Sequence, residues 1–133
     1  MYNYDHVDIE AFAGKTFNRI FDRETGECPK LGTDAVCFVA PQENFLMTHQ
    51  RECCERVYLE DVCGDWDDLI GSPVLCAEES VSDGIFDDEL KSWTFYRLKT
   101  AKGSVTLRWQ GESNGYYGVE VSLYKEKSPT EKE

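Results

Sequence analysis

Three groups of residues in this chain carry side chains able to do chemistry. The first is His49, Cys53, Cys54 and Cys63, with Asp61 close by in sequence. Imidazole and thiolate are the donors a zinc ion takes, and a thiol beside a histidine can serve as an activated nucleophile. If residues 49–53 run extended, His49 and Cys53 share a face, because strand side chains alternate with period two. Zinc sites, however, carry repeated Cys-x2-Cys or His-x3-His spacings, and neither occurs here. No spacing supplies the third group that would orient a Cys53–His49 pair. His49, Cys53 and Cys63 are therefore expected to pack as buried side chains, with no metal or cofactor. The adjacent pair Cys53-Cys54 fits no motif.

The second group is a run of carboxylates. The chain has 133 residues with 26 acidic and 14 basic side chains, a formal net charge of −12. Residues 51–90 hold 13 of the acids and only two bases, and residues 91–133 are net positive. Glu55, Glu60, Asp61, Asp65, Asp67, Asp68, Glu78, Glu79, Asp87 and Asp88 are the candidate contact residues in that middle segment. Such density costs stability through self-repulsion, so it serves either as a solvated, solubilising face or as a surface for a basic partner. The charge also opposes direct binding to nucleic acid backbones or anionic membranes. Calcium is tested by counting from Asp65 as the first loop position. The fifth and twelfth positions, which need oxygen ligands, are then Leu69 and Cys76. The calcium loop fails. Asp65, Asp67 and Asp68 instead suit the N-terminal end of a short helix over 65–70, stopped by Gly71 and Pro73.

The third group pairs aromatic rings with cations. Trp66, Tyr96, Tyr116 and Tyr117, with Arg97 and Arg108, could hold a nucleotide-like ligand by stacking and charge. Trp109 and Tyr96 already have roles on a core face, which counts against this use.

The elements that must position these groups are mostly strands. Residues 16–22, 36–40, 45–49 and 57–62 read as strands, with a loop at 23–34 marked by Gly26, Pro29 and Gly32. Pro41-Gln42-Glu43-Asn44 as a four-residue loop would place Ala40 opposite Phe45 and Val36 opposite His49. Residues 93–99, 104–110 and 117–123 alternate more cleanly, with Tyr96, Leu98, Val105, Leu107, Trp109, Val119, Val121 and Leu123 facing inward. Parity favours a loop of two or four residues between the first two of these strands. It favours a three-residue loop with a bulge at Gly115 between the last two, pairing Trp109 with Val119. The expected fold is mainly β, a curled antiparallel sheet forming a small barrel or sandwich, with one short helix near 65–70. A single domain is expected over residues 1–124, followed by a disordered charged tail over 125–133. The hydrophobic share of 41% supports a real core, and no apolar run reaches the ~18 residues of a membrane span. The first residues hold no secretory signal pattern, so the six cysteines are expected reduced in a cytoplasm.

Residues 46–79, with His49-x3-Cys53-Cys54-Glu55 and Gly64-Asp65-Trp66-Asp67-Asp68-Leu69-Ile70-Gly71-Ser72-Pro73, resemble a family of small phage and bacterial proteins of unassigned function. Ser92–Arg97, Gly103–Leu107 and Ser113-Asn114-Gly115-Tyr116-Tyr117 are similar to its C-terminal half. The resemblance covers residues 44–124. It implies a phage or prophage accessory gene and supplies no catalytic residues. The leading expectation is a protein that binds stoichiometrically to a host defence or nucleic-acid-handling protein with a basic surface. An anti-CRISPR or nuclease inhibitor presenting carboxylates in place of phosphates is the concrete form. The alternatives are a small-molecule binder that sequesters a nucleotide-like immune signal and, last, a metal- or thiol-dependent enzyme. No glycine-rich phosphate loop, nucleophile elbow or His-Glu-x-x-His supports the enzyme. Nothing in the sequence sets an oligomeric state.

Overall fold

A computed structural model describes residues 4–23, 35–49, 55–86, 89–113 and 118–126. The strands are β1 (Tyr4–Val7), β2 (Arg19–Arg23), β3 (Ala35–Val39), β4 (Asn44–Thr48), β5 (Arg56–Cys63), β6 (Cys76–Phe86), β7 (Glu89–Thr100), β8 (Gly103–Ser113) and β9 (Ser122–Glu126). Two single 3-10 turns, Ile9–Phe12 and Trp66–Leu69, are the helical elements among the described residues. The strands form two antiparallel sheets, one in the order β1-β9-β4-β3-β2 and one in the order β5-β8-β7-β6. Neither closes into a barrel, so the mainly β expectation resolves to a two-sheet arrangement.

Alternation explains why the sheets face each other. Ile20, Val36, Phe38, Phe45, Met47 and Leu123 from the first sheet join Val57, Tyr96, Leu98, Val105, Leu107 and Trp109 from the second in one buried cluster. Each is on the inward phase of its strand, and at ~25 cal/mol per Å² this shared apolar burial is the main force holding the sheets together. Phe12 and Phe17 plug the cluster from the N-terminal segment, packing edge-on at 4.9 Å between centroids. That segment is tied by Gly14 N–H to the Val74 carbonyl and Val74 N–H to the Lys15 carbonyl.

The β7–β8 hairpin follows the expected pairing. Tyr96 faces Leu107, Leu98 faces Val105, and Thr100 pairs with Gly103, leaving a two-residue loop. The β3–β4 hairpin keeps the expected faces but not the register. Val36 pairs with Met47 and Phe38 with Phe45, two positions from the expected alignment. Ala40 and Glu43 exchange backbone hydrogen bonds around Pro41-Gln42, so the turn is two residues tighter. A slip of two preserves every side chain's face, which is why alternation could not detect it.

The larger correction is β9. It does not pair with β8; it crosses to the other sheet and lies between β4 and β1. The place beside β8 belongs to β5, with Val57 opposite Gly111, Leu59 opposite Trp109 and Val62 opposite Leu107. A register shift at Glu60 makes the bulge there. That extra residue lets both Leu59 and Val62 pack against the core. Gly115, where the bulge was expected, lies outside the described residues. Val119, Val121 and Leu123 are buried as their alternation requires, but on a crossing chain. Gly111 permits the crossing, since a Cβ there would stand 2.5 Å from the Val119 Cβ. Lys125 and Glu126, expected in the tail, belong to β9. The strands β1 and β6 had no counterpart in the sequence reading.

The short helix near 65–70 is the 3-10 turn Trp66–Leu69, with Asp65 Oδ1 accepting from Asp67 N–H at 3.2 Å. Gly71, at φ +77°, ends it in a conformation that favours glycine. Among the described residues no helix is long and apolar enough to cross a membrane.

Candidate functional site

The middle acidic segment contains carboxylates of two kinds. Glu55 was expected on the acidic surface, yet it is only 1% exposed. It precedes β5, which carries it into the space between the sheets, against His49 at the end of β4. His49 is 4% exposed, its Nε2 lies 2.7 Å from Glu55 Oε2, and its Nδ1 lies 2.7 Å from the Glu120 carbonyl oxygen. A carbonyl only accepts, so Nδ1 carries a proton and donates. The other contact holds one proton whichever partner owns it: an imidazolium against a carboxylate, or a neutral ring accepting from a carboxylic acid. Both forms are neutral as a pair, which is how a buried acid escapes the penalty of a lone buried charge.

This pair joins the start of β5, the end of β4 and the chain crossing towards β9. Tyr96 completes the seam, its hydroxyl donating to the Val121 carbonyl at 3.0 Å. Burial, then the nearby Glu79 carboxylate, pushes the Tyr96 hydroxyl well above the usual phenol range. The crossing backbone therefore receives side-chain donors at 120 and 121 just before its strand ladder begins. His49 and Glu55 could share or relay a proton, but neither presents a reactive atom to solvent. Cys63 lies on the opposite, outer face of β5, exposed and facing Thr106. It therefore does not meet His49, and no cluster of three metal-ligating side chains exists among the described residues. Cys53 and Cys54 lie outside the described residues. Cys63 and Cys76 are free thiols.

The remaining acids divide between the two edges of the four-stranded sheet. Glu60 and Asp61 stand on β5, at the bulge, where Glu60 Oε1 lies 2.6 Å from Arg108 Nε. Glu78, Glu79 and Asp83 stand on β6, at the far edge. Three strand spacings, about 14 Å, separate these rows. Between them β8 and β7 present Arg108, Lys91, Arg97 and Lys99 on the outer face, which Glu78 shares, while Glu79 and Asp83 stand on the other face opposite Tyr96 and Ser92, so the described acids do not form one continuous patch. The Asp65–Asp68 turn sits over the β7–β8 loop, held by Thr100 Oγ1 donating to the Asp68 carbonyl and Lys102 Nζ donating to the Ile70 carbonyl. Asp68 lies against Gly103, where a Cβ would come 2.6 Å from Oδ2. Asp65 and Asp68 are thus structural as well as charged. Asp87 and Asp88 lie outside the described residues.

On β6, residues Glu78 to Asp83 are exposed without a break. A strand covered along one face would show every second residue buried, so this stretch overhangs the core, with the Glu79 carboxylate reaching back to the Tyr96 hydroxyl. Cys76 Sγ donates to Glu78 Oε1 at 3.1 Å, and that bond pushes the thiol up from its ordinary value.

The described aromatic and cationic candidates are not brought together. Trp66 packs edge-on against Phe38 at 6.4 Å, and Tyr96 is buried in the core. Arg97 and Arg108 lie on the outer face of the four-stranded sheet, with Arg108 beside Glu60. Tyr116 and Tyr117 lie outside the described residues. Tyr58, which stands in no motif, carries the Arg56 guanidinium over its ring at 4.3 Å, and its hydroxyl donates to Gln110 Oε1. Burial, then Glu112 and Glu60, raises that phenol. The outer face of the five-stranded sheet has an open depression of about 220 Å³ lined by Tyr4, Arg19, Phe21, Cys37 and Leu46, among others. Its rim polar groups are engaged: Arg19 covers Phe21 at 4.4 Å, and Asn44 Nδ2 donates to Glu126 Oε2 at 3.1 Å.

No curated protein and no solved structure matches the chain. Residues 10–123 match a family described as a domain of unknown function, and the match extends well N-terminal of the motifs at 44–124. With most of its length covered, the chain belongs to that family, DUF7448.

Proposed function

We propose that the protein acts by stoichiometric binding to a protein with a basic surface, and that it engages this partner through the acids of β6 and of the 3-10 turn Trp66–Leu69. The observation that carries the reading is the unbroken exposure of Glu78 to Asp83 at a sheet edge. Their three carboxylates form no ion pair with a described lysine or arginine, unlike Glu43 and Glu60. Asp67, exposed on the 3-10 turn, adds to the same charge. Carboxylates left in water at a net charge of −12 attract cations at long range and raise association rates with basic proteins.

The concrete form is a phage-type accessory protein in the host cytoplasm that occupies a defence or nucleic-acid-handling protein, as an anti-CRISPR or nuclease inhibitor would. Because the acids lie along two separate edges, such a mimic would imitate a short row of phosphates rather than a broad duplex surface. The reading assigns no catalytic residue.

The test is a tagged pull-down from nuclease-treated host lysate at low and high salt. It is repeated with Asp67→Asn, Glu78→Gln, Glu79→Gln and Asp83→Asn combined. A partner held at low salt by the natural chain, released at high salt and missed by the variant is the expected outcome. Equal capture by both proteins overturns the reading.

A further inference from the structure

We infer that the free edge of β6 is a docking site for an extended basic segment of a partner protein, which adds to the four-stranded sheet as a fifth, antiparallel strand. The inference rests on the proposed binding to a basic partner and specifies how that binding is made.

β6 is 11 residues long and hydrogen-bonded to β7 along its whole length, from Cys76 opposite Lys99 to Phe86 opposite Glu89. Among the described residues, no strand pairs with its other edge. An edge of this length offers a row of unpaired N–H and C=O groups, a template for another strand. The first 3-10 turn packs against β6, and Ala77 is half-buried, but Glu78 to Asp83 are exposed. Among the described residues, Val81, at 56% exposure, is one of two large apolar side chains that stand well out into water. The stretch contains no proline to block pairing.

Charge selects the occupant. A second copy of β6 pairing antiparallel and centred on Val81 would set Glu79 opposite Asp83 twice, and like charges directly opposite destabilise a pair. A basic strand in the same register meets the reverse situation. Glu79, Val81 and Asp83 share one face of β6, since side chains two apart do. A complementary strand therefore carries a cation, an apolar residue and a cation at alternate positions. That pattern is the recognition code we assign to the edge. Backbone pairing supplies affinity, and the two flanking carboxylates supply selectivity.

The experiment uses the full chain and a fluorescein-labelled seven-residue peptide. The peptide has arginine second and sixth, valine fourth and threonine elsewhere, and binding is read by anisotropy. A control peptide carries glutamate in place of both arginines. Two further peptides are N-methylated on one or the other alternate set of backbone amides. The arginine peptide should bind at least tenfold more tightly than the glutamate peptide. Glu79→Lys with Asp83→Lys should reverse that preference, with circular dichroism confirming an unchanged fold. Only one N-methylated peptide should lose binding, because alternate amides of a strand point to opposite sides. Loss in both methylated peptides, or in neither, overturns strand addition while leaving the acidic contact standing. No preference for the arginine peptide, or a preference untouched by the charge reversal, overturns the acidic contact as well.

Discussion

Glu55 and Glu79 come from the same acidic stretch and have the same side chain, yet they play opposite parts. Glu55 is 1% exposed and bonded to His49, where it helps fasten β4, β5 and the crossing chain. Glu79 is exposed on an edge strand and forms no ion pair with a described base. The difference lies in what surrounds each carboxylate. A carboxylate inside must have a partner, because its desolvation cost is large, whereas one outside is solvated by water and is free to meet another molecule. Residue type therefore does not separate structural from contact acids in this chain; packing does. Glu43 stands between the extremes, partly exposed and bridging Lys15 at 2.6 Å and Lys125 at 3.3 Å.

The strongest test of this contrast removes the buried acid. Glu55→Ala leaves His49 inside without its partner and should cost about 3–5 kcal/mol of stability, read from urea denaturation. Replacing both residues, His49→Leu with Glu55→Leu, should cost less than the single change, because no buried half-pair remains, although the Glu120 carbonyl loses its donor. A double variant less stable than Glu55→Ala would mean that the pair contributes beyond mutual neutralisation.

The intermediate acid gives a pH signature. Lys15, opposed by partial burial and aided by Lys125, holds the Glu43 carboxyl below the usual carboxylate range. A lowered folded value means that the ionised form favours the fold. Its stabilisation is complete above the ordinary carboxylate value and is lost as pH falls through the lowered one. Glu43→Gln should therefore cost about 0.2–1 kcal/mol at neutral pH, as partly exposed ion pairs do. The deficit should shrink as denaturation is repeated towards pH 3. A deficit that stayed constant would assign the loss to packing. The smallest effect belongs to the exposed acids. Glu79→Gln and Asp83→Asn should each change stability by no more than about 0.5 kcal/mol, while partner binding falls.

These positions also show what was legible in the sequence. The exposure of Glu60, Asp61, Asp67, Glu78 and Glu79 follows from their charge. The burial of Glu55 does not, because its only local signal is one histidine six residues earlier, across a segment of no regular pattern. In β6, Cys-Ala-Glu-Glu-Ser-Val-Ser-Asp-Gly-Ile-Phe lacks alternation, since its middle overhangs the core. It becomes a strand because β7 supplies a backbone to pair with.

By itself the sequence determined the properties that depend on near neighbours. These are the inward phase of Tyr96, Leu98, Val105, Leu107, Trp109, Val119, Val121 and Leu123, the even length of the β7–β8 loop, and the capped turn begun by Asp65. Side-chain alternation and capping act over a few residues, so their rules can be read in place. The tertiary structure alone decided which strand lies beside β8, that β9 leaves for the other sheet, and that Glu55 meets His49. Val57, Leu59 and Val62 satisfy the inner face of β8 as well as Val119 and Val121 would have done. The choice between them was made by the packing of the whole chain, with Gly111 giving room for Val119 and with His49 and Tyr96 holding the crossing backbone.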